Sequence, residues 1–162
     1  MQEQKFTSAK TSRAQIAQTF KLVQFKKTDK VLDYGGGKYD ITAEYMRNKV
    51  ADFGVYDKYN RTAEHNEKTL ARLASPNVIT VNNVLNVIAE NEIISQIIED
   101  VHNRLAENGT AYFLVYEGNR TGKGTPTRDG YQRNQPTTDY IAEINKVFSK
   151  VSRQGKLIVA NK

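Results

Sequence analysis

The stretch Lys30-Val31-Leu32-Asp33-Tyr34-Gly35-Gly36-Gly37-Lys38-Tyr39-Asp40 decides how this chain reads. Residues 30–34 are a short apolar run suited to a strand, and three glycines end it. Ile41, Tyr45 and Met46 then recur on one face of a helix that extends to about Lys49. Glycines between a strand and a helix let the backbone turn sharply and approach a ligand with no Cβ in the way. A second strand, 51–56, ends at Asp57, twenty residues after Gly37. A carboxylate at that place is positioned to accept hydrogen bonds from two ribose hydroxyls. Strand, glycine loop, helix, strand and acid, in that order, indicate an adenosine-containing ligand.

The rest of the chain keeps alternating the two periodicities. Ahead of the glycines, Ile16, Ala17, Phe20 and Val23 have helical spacing between Thr11 and about Phe25, giving a leader helix within residues 1–28. By order alone, Thr11-Ser12-Arg13 would cap that helix over the site. Residues 60–73 read as a weakly amphipathic helix broken by Ser75-Pro76. A strand at 78–81 leads into Asn82-Asn83-Val84-Leu85-Asn86. Ile93, Ile94, Ile97, Ile98, Val101 and Leu105 then form a helical stripe that Asn108-Gly109 closes. Residues 110–116 are apolar and aromatic enough for a central strand. Residues 117–136 form a loop rich in Gly and Arg, longer than a simple connection needs. A final helix, about 138–151, turns Ile141, Ile144, Val147 and Phe148 inward, and residues 156–160 form the last strand. Strands alternating with helices predict an α/β domain: a three-layer, Rossmann-like fold with a mostly parallel sheet. Ligands of such sheets bind beyond the carboxyl ends of the strands. Those ends are Tyr34 to Lys38, Asp57 to Tyr59, Asn82 to Asn86, and Glu117 onward.

Composition narrows the possibilities. The 162 residues, 26% charged and 38% hydrophobic, fit one globular domain spanning 1–162. With no Cys there is no disulfide framework, thiolate metal site or cysteine nucleophile. Two histidines, His65 and His102, both expected in solvent, exclude an imidazole-rich metal centre and leave carboxylates as the only plentiful metal ligands; no metal site is assigned. The sequence has no apolar run of membrane-spanning length and its polar start lacks the apolar stretch of a secretory leader, so a cytoplasmic, membrane-free protein is expected. Residues 1–117 carry 15 basic and 15 acidic side chains, and residues 118–162 carry nine and three. The whole excess of +6 therefore sits at the C-terminal end, as a solvated basic face or as a surface for phosphate backbones.

Charge also bears on the choice of ligand. A dinucleotide fingerprint would need a third glycine where Asp40 stands, and its pyrophosphate would meet the carboxylates of Asp33 and Asp40. Both carboxylates would instead tolerate the sulfonium and ammonium groups of S-adenosylmethionine. Asp40 reads equally as a helix N-cap worth about 1 kcal/mol.

Val31-Leu32-Asp33-Tyr34-Gly35-Gly36-Gly37 resembles the first motif of class I S-adenosylmethionine-dependent methyltransferases. Val55-Tyr56-Asp57 is similar to the family's acidic ribose-binding position. Asn83-Val84-Leu85-Asn86-Val87-Ile88 is similar to the segment bordering the methionine part of the cofactor, and Leu105-Ala106-Glu107-Asn108-Gly109-Thr110 to the turn before the fifth strand. The resemblance spans about residues 30–118. It implies S-adenosylmethionine as cofactor, S-adenosylhomocysteine as product, and cofactor contacts from Asp33, Tyr34, Gly35, Gly36, Gly37, Asp57, Lys58, Asn82, Asn83 and Val84. Three departures stand out. Tyr39 replaces the family's third glycine, no strand is evident between Asp57 and Val78 to serve as its third strand, and the segment after the fifth strand is short. The pattern resembles a reduced form of the fold, as in small methyltransferase-like proteins of phage and bacterial genomes.

The methyl acceptor is not specified. The Asn/Asp-Pro-Pro-aromatic motif of amino-methylating DNA enzymes is missing, and a Pro-Cys nucleophile is impossible. Asn83 and Asn86 could bond the cofactor or a substrate amine, or simply shape a strand-end turn. Arg120, Lys123, Arg128 and Arg133, with Tyr131 among them, could bind phosphate or stack on a base. Asn86, Arg120 and Tyr131 are the candidate substrate contacts. The rival readings are a cofactor-binding module without transferase activity and a plain nucleic-acid-binding domain.

Overall fold

The computed structural model describes residues 15–162 apart from Asp129. Its centre is a six-stranded sheet: β1 (Lys30–Tyr34), β2 (Asp52–Tyr56), β3 (Val78–Asn82), β4 (Thr110–Leu114), β7 (Lys150–Gln154) and β8 (Leu157–Asn161). The spatial order is β2-β1-β3-β4-β8-β7. The first four are mutually parallel, and β8 runs antiparallel to both β4 and β7. Five strands thus point one way and β8 alone runs against them.

β1 and β3 are buried almost end to end, which is why their sequences are continuous apolar runs rather than alternating ones. Strand pleating sends Asp33, Thr80 and Asn82 to one face and Leu32, Tyr34 and Ile79 to the other. On the first face lies α1 (Thr19–Leu22), whose Phe20 ring meets Phe53 of β2 edge-on at 5.8 Å. On the second face lies α4 (Asn91–Arg104), which buries Ile94, Ile98 and Val101. Each such side chain contributes roughly 1.5–3 kcal/mol of transfer free energy. α5 (Ile141–Asn145) adds Ile144, and Phe148 just beyond it packs on Phe113. α2 (Ile41–Met46) follows the glycines and α3 (Ala63–Arg72) follows β2.

Among the described residues the sheet stops at β2, with no strand between Asp57 and Val78, and α3 serves that edge. His65 Nε2 lies 2.7 Å from the Val55 carbonyl oxygen, and Arg72 reaches the Phe53 carbonyl and the Asp52 carboxylate. These contacts occupy carbonyls that a further strand would have paired. His65 is accordingly half-buried rather than solvated, and so is His102, whose ring meets Phe148 edge-on at 5.0 Å.

Three expectations change. Among the described residues the leader is helical only over Thr19–Leu22, and Ile16 and Ala17 are not helical. Thr11-Ser12-Arg13 lies outside the described residues. The last helix, expected to reach about residue 151, ends at Asn145, and residues 150–154 are a strand, β7, that the sequence pattern does not announce. A two-residue turn with Gly155 at φ 60° joins β7 to β8, a backbone angle that glycine adopts without strain. Finally, the long loop holds a small hairpin of β5 (Thr125–Thr127) and β6 (Gly130–Gln132). Among the described residues no helix is long and apolar enough to cross a membrane.

Candidate functional site

A cavity of about 970 Å³ opens beyond the carboxyl ends of β1, β2 and β3. It collects the glycine loop, the turn after β2, the Asn82–Val84 segment and one face of α4. Of the cofactor candidates, Asp33, Tyr34, Gly35, Gly36, Asp57, Lys58, Asn82, Asn83 and Val84 line it. Gly37 lies one residue further along the same loop.

Space explains two of the glycines. A Cβ on Gly35 would come within 2.5 Å of Val84 Cγ2, and one on Gly36 within 2.3 Å of Asp33 Oδ2. The first gap lets the β3 segment close on the loop, and the second lets the Asp33 carboxylate tuck behind it.

The β2–α3 turn then holds the loop from the other side. Gly37 N–H donates to Asp57 Oδ2 at 2.8 Å, and the Gly37 carbonyl accepts from Arg61 Nε at 2.8 Å. Arg61 also donates to the Tyr39 carbonyl and pairs with Asp40 at 2.8 Å. Asp40 makes no capping bond with its side chain, so the helix-cap reading fails; it faces Arg61 instead and does not line the cavity. Asn66 of α3 fixes Asp57 itself, exchanging bonds with its N–H and C=O. Arg61 and Asn66 were not singled out from sequence. The only available signal was the polar run after an apolar strand, which marks a turn without saying what it grips.

Asp57 was expected to offer its oxygens to ribose hydroxyls. Its carboxylate accepts four donors from the chain: Gly37 N–H and Asn60 Nδ2 on Oδ2, and the Tyr59 and Asn60 amides on Oδ1.

Asp33 is 3% exposed and accepts from Thr80 Oγ1 at 2.8 Å and from Asn82 Nδ2 at 3.4 Å. Burial outweighs those bonds and raises its pKa to about 6. Asn82 Oδ1 in turn accepts from the buried hydroxyl of Thr19, tying the leader to the strand ends. On the opposite face the Tyr34 hydroxyl donates to Asp100 Oδ2 at 2.8 Å, and Arg104 Nε shares that oxygen. Burial and the Asp100 carboxylate push the Tyr34 phenol well above its ordinary range, so it stays a neutral donor.

Asn83 has φ 56° and its N–H donates to the Leu114 carbonyl, so it makes the strand-end turn. Asn86 sits in the 3₁₀ turn Leu85–Val87, is 2% exposed, lines the cavity, and leaves Oδ1 buried with no partner among the described residues. The other two substrate candidates are not brought there. Arg120 faces Glu117 at 3.8 Å, and Tyr131 packs on the hairpin with its hydroxyl beside Gly124; neither lines the cavity. Arg133 is committed as well: it donates to the Ile88 and Ala89 carbonyls, Asn91 Oδ1 and Gln135 Oε1, and so anchors the long loop rather than offering charge. The cavity gains Tyr116, 62% exposed, and Lys156.

No protein-family model and no curated protein matches the sequence. Solved structures match the fold at low identity. The S-adenosylmethionine-dependent methyltransferase SibL, in its apo form, gives a TM-score of 0.56 at 14% identity over 84% of this chain and 51% of its own. PigF, solved with S-adenosylhomocysteine, gives 0.62 at 14% identity over 96% and 55%. The Burkholderia thailandensis 1,6-didemethyltoxoflavin-N1-methyltransferase, solved with its substrate and S-adenosylhomocysteine, gives 0.62 at 13% identity over 97% and 79%. The chain spans about half the length of SibL and of PigF. Its fold is that of the class I S-adenosylmethionine-dependent methyltransferases.

Proposed function

We propose that this chain is an S-adenosylmethionine-dependent methyltransferase with its cofactor lying along the carboxyl ends of β1, β2 and β3. The observation that carries this is one cavity lined jointly by the glycine loop, the Asp57 turn and the Asn82–Val84 segment. The reading is supported by two buried carboxamide oxygens at the cavity, of Asn60 and Asn86, that have no donor among the described residues. When bound, the cofactor supplies an electrophilic methyl group on a cationic sulfur. The side chains named do the placing: Gly35, Gly36 and Gly37 shape the floor, Val84 gives an apolar wall, and Tyr34, Asp57, Lys58, Asn82 and Asn83 surround it. Asp33, anionic above about pH 6, favours a cation nearby. Placement alone supplies much of the rate of an in-line displacement, so no general base is required of the chain.

For the acceptor, the unpartnered Asn86 Oδ1 favours a nucleophile that carries an N–H or O–H. Exposed Lys123 and Arg128 on the hairpin loop keep nucleic acids among the acceptors to try. The test is transfer of a tritiated methyl group from S-adenosylmethionine to separated pools of nucleic acid, protein and small metabolites. Label in one pool supports the reading. Tight cofactor binding with no label in any pool would point to a binding module without transferase activity.

A further inference from the structure

The cavity runs on past the glycine loop. Leu114, Val115 and Tyr116, at the carboxyl end of β4, line it together with Lys156 and residues 16–18 of the leader. β4 stands two strands from β1 in the sheet, so this end lies about 10 Å from the glycine loop. The antiparallel return of the chain puts the lysine there: Leu157 of β8 pairs with Leu114, and the β7–β8 turn carrying Lys156 therefore sits beside the segment that leaves β4.

Tyr116 is 62% exposed, whereas the next residue, Glu117, is mostly buried and fixed by the Thr137 N–H, which donates to its Oε2 at 2.8 Å. That carboxylate gathers cations from two parts of the chain. Arg120 Nε lies 3.8 Å from Oε2 and Lys156 Nζ 3.6 Å from Oε1, and both side chains remain exposed. Arg153, whose Nη1 donates to the Gly155 carbonyl at 3.3 Å, adds a third positive charge at the same turn. Ion pairs this long and this exposed add little to stability, so the cations can turn to a ligand at small cost.

An exposed aromatic ring beside clustered cations, at the mouth of a concave site, offers a face for a base and charge for phosphates. A base within a duplex has both faces covered by its neighbours, so the ring stacks on an unpaired one. Arg120, Lys123, Arg128 and Arg153 are exposed but do not line the cavity, and they extend the positive charge outside it. A strand has further phosphates to place there and a mononucleotide has none.

We propose that the methyl acceptor is a single-stranded nucleic acid that enters over the end of β4, with one base stacked on Tyr116 and the flanking phosphates held by Lys156, Arg120 and Arg153. This rests on the cofactor reading above and names its acceptor. A nucleophilic atom of the stacked base forms the bond to the methyl carbon, the carbon–sulfur electron pair returns to sulfur, and the proton carried by the base passes to solvent.

The experiment titrates short fluorescent RNA and DNA single strands of mixed sequence with wild type, Tyr116→Ala, Tyr116→Phe, the double variant Arg120→Gln/Lys156→Gln, and Lys68→Gln on α3, with S-adenosylhomocysteine calorimetry on each protein. Wild type is expected to bind a single strand more tightly than the matching duplex or a mononucleotide. Tyr116→Ala is expected to weaken strand binding about tenfold, and Tyr116→Phe, which keeps the ring, to retain it. The double variant should lower the salt dependence by about two phosphate contacts, while Lys68→Gln matches wild type. All five should bind S-adenosylhomocysteine alike, which reports an intact cofactor end. Absence of strand binding at low salt overturns the proposal, as does Tyr116→Ala binding the strand as wild type does. Equal or tighter binding of duplex, mononucleotide or vesicles of anionic lipid overturns it too. A wild type that binds the strand but not S-adenosylhomocysteine would instead bring down the cofactor reading, and the acceptor assignment with it.

Discussion

Asp57 Oδ2 lies 2.8 Å from the Gly37 amide, so the end of β2 holds the loop that follows β1. That single bond joins two sequence features twenty residues apart, and it makes Asp57 part of the fold before any ligand arrives. Replacing it with Ala is therefore expected to lower the stability of the ligand-free protein by about 1–3 kcal/mol in urea denaturation. A carboxylate that served only as a ribose acceptor would leave ligand-free stability unchanged or raised.

Gly36 is constrained by what lies behind it. A methyl group there would meet Asp33 Oδ2 at 2.3 Å and Val55 Cγ1 at 2.8 Å, neither at the end of a long flexible chain. Gly36→Ala is expected to cost about 1–3 kcal/mol and to weaken cofactor binding, measured by thermal melts with and without S-adenosylhomocysteine.

Asp33 gives a pH dependence whose sign is fixed. Its folded pKa of about 6 lies above the ordinary 3.8, so the folded state holds its proton more tightly than the unfolded chain. Stability from this group is complete below about pH 4 and is lost as pH rises through about 6. A shift of two units corresponds to about 3 kcal/mol. Asp33→Asn is expected to flatten the urea midpoint between pH 4 and 7 and to raise stability at pH 8. Because a bound sulfonium favours the anion, S-adenosylmethionine should also bind wild type more tightly at pH 7.5 than at pH 5, and the Asn variant should lose that difference.

Arg133 anchors the long loop through four side-chain bonds, two of them to carbonyls between β3 and α4 and one to Asn91, the first residue of α4. Arg133→Met keeps the stem and removes the donors. Limited proteolysis within residues 118–131 is expected to speed up several-fold, while Arg128→Met, on the exposed turn, should leave the rate unchanged.

What the sequence made legible follows from burial. β1, β3 and β4 carry their own apolar signal, and the glycines and Asp57 stand where strand ends put them. β7 did not, because Lys-Val-Ser-Arg-Gln is an exposed edge strand with almost nothing to bury; Gly155 in a two-residue turn before an apolar strand was the usable clue. Arg133 looks like Arg120 and Arg128 in one dimension, and only the carbonyls of Ile88 and Ala89 distinguish it. The location of Asp57 was readable, but its four donors were not, since three of them come from a turn whose shape depends on Asn66 and Arg61 and the fourth from the glycine loop that turn grips.

The central claim is that this cavity holds S-adenosylmethionine, and titration calorimetry of S-adenosylmethionine and S-adenosylhomocysteine into purified, ligand-free wild type tests it most directly. One-to-one binding of both, with a matching rise in unfolding temperature, is the expected result. Folded protein that gives neither heat nor a thermal shift with either ligand would contradict it.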